Sequence, residues 1–199
     1  MMLKETYQWL ATHWVEALAT ITGLLYIYFS VKQKILLWFF GILNAVFLIA
    51  VYYQSGIFAY MMLQFYYLFI SVYGWIHWAK GSAGEKELPV TRVKWKLAMI
   101  LLLLSLVLSA AIYWALKKFT VSDIPWIDGI STAFSITATW MLARKILEHW
   151  LVWIIVDSGL CILYITRSLY LMTILFAVYT VLAVYGYISW EKTIGAKIS

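Results

Sequence analysis

Residues 97–116 read LAMILLLLSLVLSAAIYWAL, 20 positions without one charged side chain. About 20 predominantly apolar residues in helical conformation are what it takes to cross the hydrocarbon core of a bilayer. The rest of the chain repeats the pattern. Of its 199 residues 65% are hydrophobic and 12% charged, against roughly half and a quarter in a soluble domain. No soluble core of this size absorbs that excess, so lipid is the solvent. Uncharged stretches place spans at 14–31, 35–53, 57–79, 97–116, 126–143, 150–166 and 170–190. Ahead of the first, residues 1–13 carry Lys4, Glu5 and His13, with no short apolar core and small-residue cleavage site, so no removable signal peptide is expected.

Seven crossings put the termini on opposite faces. Of the 15 basic residues, Lys4, Lys117, Lys118 and Arg167 fall on the amino-terminal face. The other face takes Lys32, Lys34, Lys80, Lys86, Arg92, Lys94, Lys96, Arg144, Lys145, Lys192 and Lys197. Cytoplasmic loops hold the Lys/Arg excess, so the amino terminus is expected outside and the carboxyl terminus in the cytoplasm. The net charge of +6 is thus topological. It forms no single basic stripe, and no nucleic-acid partner is expected. The one cysteine, Cys161, lies inside a span, where it reads as a buried structural thiol with no partner for a disulfide or a metal cluster.

Laying 14–80 over 126–192 shows an internal repeat. Trp14-Val15-Glu16 matches Trp126-Ile127-Asp128, Lys32 matches Arg144, Trp38 matches Trp150, and Tyr73-Gly74-Trp75 with Trp78 matches Tyr185-Gly186-Tyr187 with Trp190, all 112 residues apart. Asn44 and Asp157 stand 113 apart, which suggests one residue gained between them. The expected fold is an all-α membrane protein of two three-helix repeats, 14–80 and 126–192, joined by the linker helix 97–116. One extra crossing returns the chain so that both repeats enter the membrane in the same direction. Parallel repeats of this kind, as in SWEET sugar carriers, place a substrate site near the midplane.

Asp157 lies about seven residues into the sixth span with no other charge closer than Glu148 and Arg167. A carboxylate at such depth costs about 2.5–3.5 kcal/mol and marks a cavity, a partner or a pathway. Arg167, ten residues on, is roughly 15 Å away along the helix, too far to pair. Trp150, Trp153 and Tyr164 share the helical face of Asp157, and aromatic rings with an anion suit a flat cationic solute. Interface anchoring is the alternative for Trp150. Gln64, Tyr67, Ser71, Trp75 and Trp78 form a polar and aromatic face on the third span. Gln64 and Asn44 each require an interhelical hydrogen bond or a ligand, and Tyr179 completes the candidate binding set. Glu16 and Asp128, near the outer ends of their spans, reach water or form an outer gate. No G-x-S-x-G, H-E-x-x-H or Walker pattern is present, so neither an enzyme nor a cofactor site is expected.

Trp14-Val15-Glu16-Ala17 with Thr22-Gly23, the run Gly41-Ile42-Leu43-Asn44, Gln64 with Tyr73-Gly74-Trp75, and Trp150-x-x-Trp153-x-x-x-Asp157 together resemble the PnuC/PnuT family of bacterial vitamin transporters. The resemblance spans nearly the whole chain. It implies a multi-pass inner-membrane carrier of nicotinamide riboside or thiamine, working by facilitated diffusion, with a cytoplasmic kinase trapping the vitamin, and a homo-oligomer, specifically a trimer. Riboside carriers show Trp-x-x-x-Asn at the sixth span, where this chain has Asp157. A carboxamide prefers a partner that both donates and accepts, whereas an ionised carboxylate only accepts. On that ground thiamine ranks first as substrate and nicotinamide riboside second. A membrane enzyme or receptor-like scaffold is the rival class.

Overall fold

A computed structural model of the chain describes residues 2–55, 58–81, 87–120 and 122–195, and side chains from residue 14 onward except those of 58, 59 and 195. Lys86 and Lys197 of the charge count, and the side chains of Lys4, Glu5 and His13, lie outside the described residues. Among the described residues there are seven α-helices: α1 (Met2–Val31), α2 (Leu36–Gln54), α3 (Phe58–Lys80), α4 (Trp95–Phe119), α5 (Pro125–Ala143), α6 (His149–Thr166) and α7 (Tyr170–Gly195). Helices are the form in which a chain in lipid satisfies its own backbone polar groups. The expected spans agree to within a few residues, except that α1 runs on to Met2 through a polar stretch.

Among the described residues, five helices are long and apolar enough to cross a membrane: α1 from Trp14, α2, α4, α6 and α7. α3 and α5 fall outside this group because polar residues are concentrated in them. α3 carries Gln64, Tyr66, Tyr67, Ser71, Tyr73 and His77, and α5 carries Asp128, Ser131, Thr132, Ser135, Thr137 and Thr139. Several hydroxyls are satisfied within their own helix, as when Thr139 donates to the Ser135 carbonyl at 2.8 Å and Thr137 to Ala133 at 3.2 Å.

The chain divides into two compact units, 1–88 and 89–199. In the first, α1 packs on α2 and α2 on α3. The centre of that packing is Trp38, fully buried, whose ring lies over Gly74 where any Cβ would overlap it. Trp78 meets Trp38 edge-on at 5.5 Å and Tyr26 meets it at 6.5 Å. The α1–α2 turn is closed at Gln33, which takes the left-handed φ of 54°, a conformation uncommon for a residue other than glycine.

In the second unit α4 packs on α5, α5 on α6 and α6 on α7. The features of the first unit recur 112 residues on. Lys145 takes φ of 52° at the α5–α6 turn, Trp150 lies over Gly186, and Trp190 meets Trp150 edge-on at 5.9 Å. The fourth helix, expected as a separate linker, belongs to the same compact unit as α5–α7. Two sets of contacts place it there. Along the helices, Ser105 Oγ and Thr137 Oγ1 share a hydrogen bond of 2.7 Å. Gly129 admits the α4 backbone so closely that a Cβ would come within 3.0 Å of the Ser109 carbonyl, small-residue packing typical of membrane helices.

Ahead of α4, the strand-like segment before Trp95 is fastened to the α5–α6 turn. Thr91 donates its N–H to the Lys145 carbonyl at 3.0 Å and accepts from Leu147 N–H at 2.8 Å. Glu148 accepts the Val93 N–H at 2.8 Å. Arg92 donates to Glu191 on α7 at 2.6 Å and lies 3.9 Å from Glu148. The hydrogen bond to Glu191, followed by one to Tyr187, raises the Arg92 pKa above its ordinary value.

Two stability contrasts follow, both measured by thermal unfolding in detergent. Gly186→Ala drives a Cβ to 2.6 Å from the Trp150 ring and should cost about 1–3 kcal/mol by overpacking. Gly159→Ala meets nothing within 4 Å and should leave the midpoint unchanged or raise it. Glu148→Ala, which strips the part-buried Val93 N–H of its acceptor, should cost about 1–3 kcal/mol. Arg92→Ala, which removes solvent-exposed ion pairs, should leave the midpoint nearly unchanged, because water screens such pairs.

Candidate functional site

Asp157 sits in the middle of α6, 5% exposed, with no hydrogen bond or ion pair among the described residues. Gln64 occupies α3 in the first unit, 6% exposed and likewise without a hydrogen-bond partner among the described residues. Buried polar groups are as a rule hydrogen-bonded, and leaving an amide unpaired costs about 1–3 kcal/mol. Gln64 in the first unit and Asp157 in the second are therefore buried with hydrogen-bonding capacity unused among the described residues, as are the Nε1 atoms of Trp38 and Trp150 and the Nε2 of His149.

The other candidates divide by what already occupies them. Trp150 is consumed by packing: 4% exposed, it is wedged between Gly186, Trp190 and, at 4.5 Å, His149. Its place at the helix end follows from the glycine seat rather than from a solute. Trp153, one turn before Asp157, is half-buried and has no ring contact among the described residues. Asn44 takes the interhelical alternative, with Nδ2 donating to the Ala19 carbonyl at 2.6 Å and lying 3.4 Å from Thr22 Oγ1. Gly23 makes room for it, the Asn44 Nδ2 being 3.2 Å from where a Cβ would stand. Tyr67 is 5.6 Å from Tyr66, and both interact electrostatically with Tyr26 of α1.

In the second unit Tyr179 on α7 is within electrostatic reach of Asp157. Its ring lies 5.7 Å from Phe176, which in turn lies 5.2 Å from Tyr164. Asp128, at the start of α5, interacts with Tyr164 and accepts a 2.6 Å hydrogen bond from Ser122. Glu16, its counterpart in α1, is exposed. The structure thus brings Asp157, Tyr179 and Tyr164 into one row and leaves Trp150 outside it.

One expectation is corrected. α2 ends at Gln54 and α6 at Thr166, and α3 starts at Phe58 and α7 at Tyr170, all 112 residues apart, as are Trp38 and Trp150. No residue is gained inside these helices. Asn44 therefore corresponds to Val156, and Asp157 to Ala45, a rotation of about 100° around the helix. Asn44 is an inter-helix tie, and Asp157 has no such tie among the described residues.

Four residues escaped the sequence reading. Phe176, Tyr26 and Tyr66 are ordinary aromatics in aromatic-rich spans, and only ring distances single them out. His149, fully buried, occupies the position of Leu37 in the first unit. Its Nδ1 is 2.7 Å from the Ile146 carbonyl, and its Nε2 is buried without a hydrogen-bond partner among the described residues. In the sequence it stands next to Glu148 at a span boundary, with nothing to mark it as buried.

Comparison with known proteins agrees with the architecture. The chain resembles, at 26% identity over 89% of its length and 84% of the relative's, the nicotinamide riboside transporter PnuC of Escherichia coli. It is 26% identical to the PnuC of Neisseria mucosa, over 91% and 73%. It is 28% identical to that of Haemophilus influenzae, over 91% and 80%. Its fold is similar to the crystal structure of the vitamin B3 transporter PnuC, with a TM-score of 0.75 and 23% identity across 98% of this chain and 88% of that one. These relatives are transporters rather than enzymes. Residues 13–192 match the family model described as nicotinamide mononucleotide transporter. The chain, with its seven helices and two compact units, belongs to that family of multi-pass membrane transporters.

Proposed function

We propose that this protein carries nicotinamide riboside across the bacterial inner membrane by facilitated diffusion, with the amino terminus outside and a cytoplasmic kinase trapping the product. The observation that carries the reading is Asp157, buried in the middle of α6 with no hydrogen bond or ion pair among the described residues. Nicotinamide riboside is a flat pyridinium cation with a carboxamide and ribose hydroxyls. A carboxylate accepts from the amide N–H or the hydroxyls and balances the ring charge, while open aromatic faces attract the cation.

The sequence placed thiamine ahead of the riboside because an anion replaces the asparagine expected opposite a carboxamide. One consideration reverses that order. Three relatives from different bacteria are named as nicotinamide riboside transporters. The unphosphorylated riboside is also favoured over the mononucleotide. A phosphate needs cationic or multiple N–H donors, and a buried carboxylate repels it.

Calorimetric titration of the purified protein with nicotinamide riboside, its mononucleotide and thiamine should give the tightest binding for the riboside. Tighter binding of thiamine would restore the other ranking. Asp157→Ala should weaken riboside binding at least about tenfold, equivalent to about 1.4 kcal/mol, without lowering the thermal midpoint, since no hydrogen bond is lost. Unchanged affinity would remove Asp157 from the site. In proteoliposomes the riboside should enter down its gradient without nucleotide, and failure of all three solutes to enter would refute the transport reading.

A further inference from the structure

Asp157 is one end of a longer arrangement. From Asp128 at the beginning of α5, a file of rings runs through Tyr164, Phe176 and Tyr179 to Asp157, with centroid separations of 5.2 and 5.7 Å between successive rings. Each terminal tyrosine is close enough to the carboxylate at its end to interact with it. Asp157 lies nine residues before the end of α6, so the file covers about 14 Å of depth.

Packing alone does not account for it. The rings that hold the second unit together, Trp150 and Trp190, are 4% and 0% exposed. Tyr164, Phe176 and Tyr179 are only half-buried, and the hydroxyls of both tyrosines have no hydrogen-bond partner among the described residues. The row also recurs: 112 positions earlier stand Glu16, Tyr52, Gln64 and Tyr67. An acidic residue at the end and tyrosines at two rungs are kept, while the middle rung changes from Gln64 to Phe176.

We propose that this file is the approach path of a cationic substrate in the second unit, with Asp128 gathering the cation at the membrane surface, the rings of Tyr164, Phe176 and Tyr179 passing it inward, and Asp157 receiving it. Electron-rich ring faces attract a cation without a fixed counter-charge, so the solute sheds water without being trapped between the carboxylates. A carboxylate at the mouth of a low-dielectric passage raises the local concentration of cations and excludes anions. Phe176 makes the middle rung indifferent to hydrogen-bonding pattern, so selection by charge precedes selection by shape at Asp157. The inference rests on the transport reading, but its test does not depend on which vitamin is carried.

The chain has one cysteine, so Cys161→Ser gives a clean background. In it, Tyr164→Cys, Phe176→Cys and Tyr179→Cys are introduced singly, and folding is checked by size-exclusion elution. Each is reacted with a trimethylammonium-ethyl and with a sulfonato-ethyl methanethiosulfonate, the rates being divided by those for a free thiol in solution. All three should react about tenfold faster with the cationic reagent, in falling order from 164 to 179. Asp128→Asn should bring the ratio at position 164 close to one. Equal rates for the two reagents, or no reaction at any of the three positions in folded protein, would overturn the path. Cation-selective labelling in a protein that binds no riboside would instead remove the proposed substrate and leave the path standing.

Discussion

The seat of an indole on a glycine organises both halves of this protein. Between helices in lipid there is little hydrophobic driving force, since the acyl chains are as apolar as leucine, and close packing must supply the cohesion. A tryptophan ring is the largest apolar surface available, and a glycine on the facing helix is what lets the backbone approach it. Trp38 over Gly74 joins α2 to α3, and Trp150 over Gly186 joins α6 to α7. Trp78 and Trp190 close each seat edge-on, at 5.5 and 5.9 Å, the geometry that aromatic quadrupoles favour. The left-handed turns at Gln33 and Lys145 then fix where the preceding helix arrives.

Once these seats hold the helices, the polar groups divide into those bonded between elements and those left unbonded. Asn44, Ser105, Thr137 and Glu148 are committed to bonds that join elements. Their removal would loosen a helix pair or release the segment ahead of α4. Asp157 and Gln64 are more deeply buried than Asn44, Thr137 or Glu148 and are joined to nothing among the described residues. A bilayer makes such groups expensive, and a ligand that offers complementary donors recovers part of the cost. The second unit adds rings that are left half-open beside its carboxylate, in contrast to the closed indole seats at the other end of the same helices.

The two units are not equal copies. His149 replaces Leu37 beside the indole seat, Phe176 replaces Gln64, and only the second unit holds α4 and the segment that Glu148 and Glu191 secure. A fourth helix that shares hydrogen bonds with α5 through Ser105 belongs mechanically with the unit that follows it, whatever its topological purpose as a returning crossing.

The number of helices, their limits, the spacing of 112 and the isolation of Asp157 within its span were legible in the residues alone, because lipid imposes rules that act on each span separately. An apolar stretch of sufficient length must be helical, and a carboxylate in it must have a reason. Tertiary structure decided which polar groups were already satisfied. Asn44 and Asp157 look alike in sequence, both polar and both within a span. The facing carbonyl of Ala19 beside Gly23 takes up one, and no described residue takes up the other. It likewise assigned Trp150 to packing and brought Phe176 between two tyrosines. A hydrogen bond or a ring contact depends on what another helix presents at the same depth. Periodicity within one helix carries no information about that.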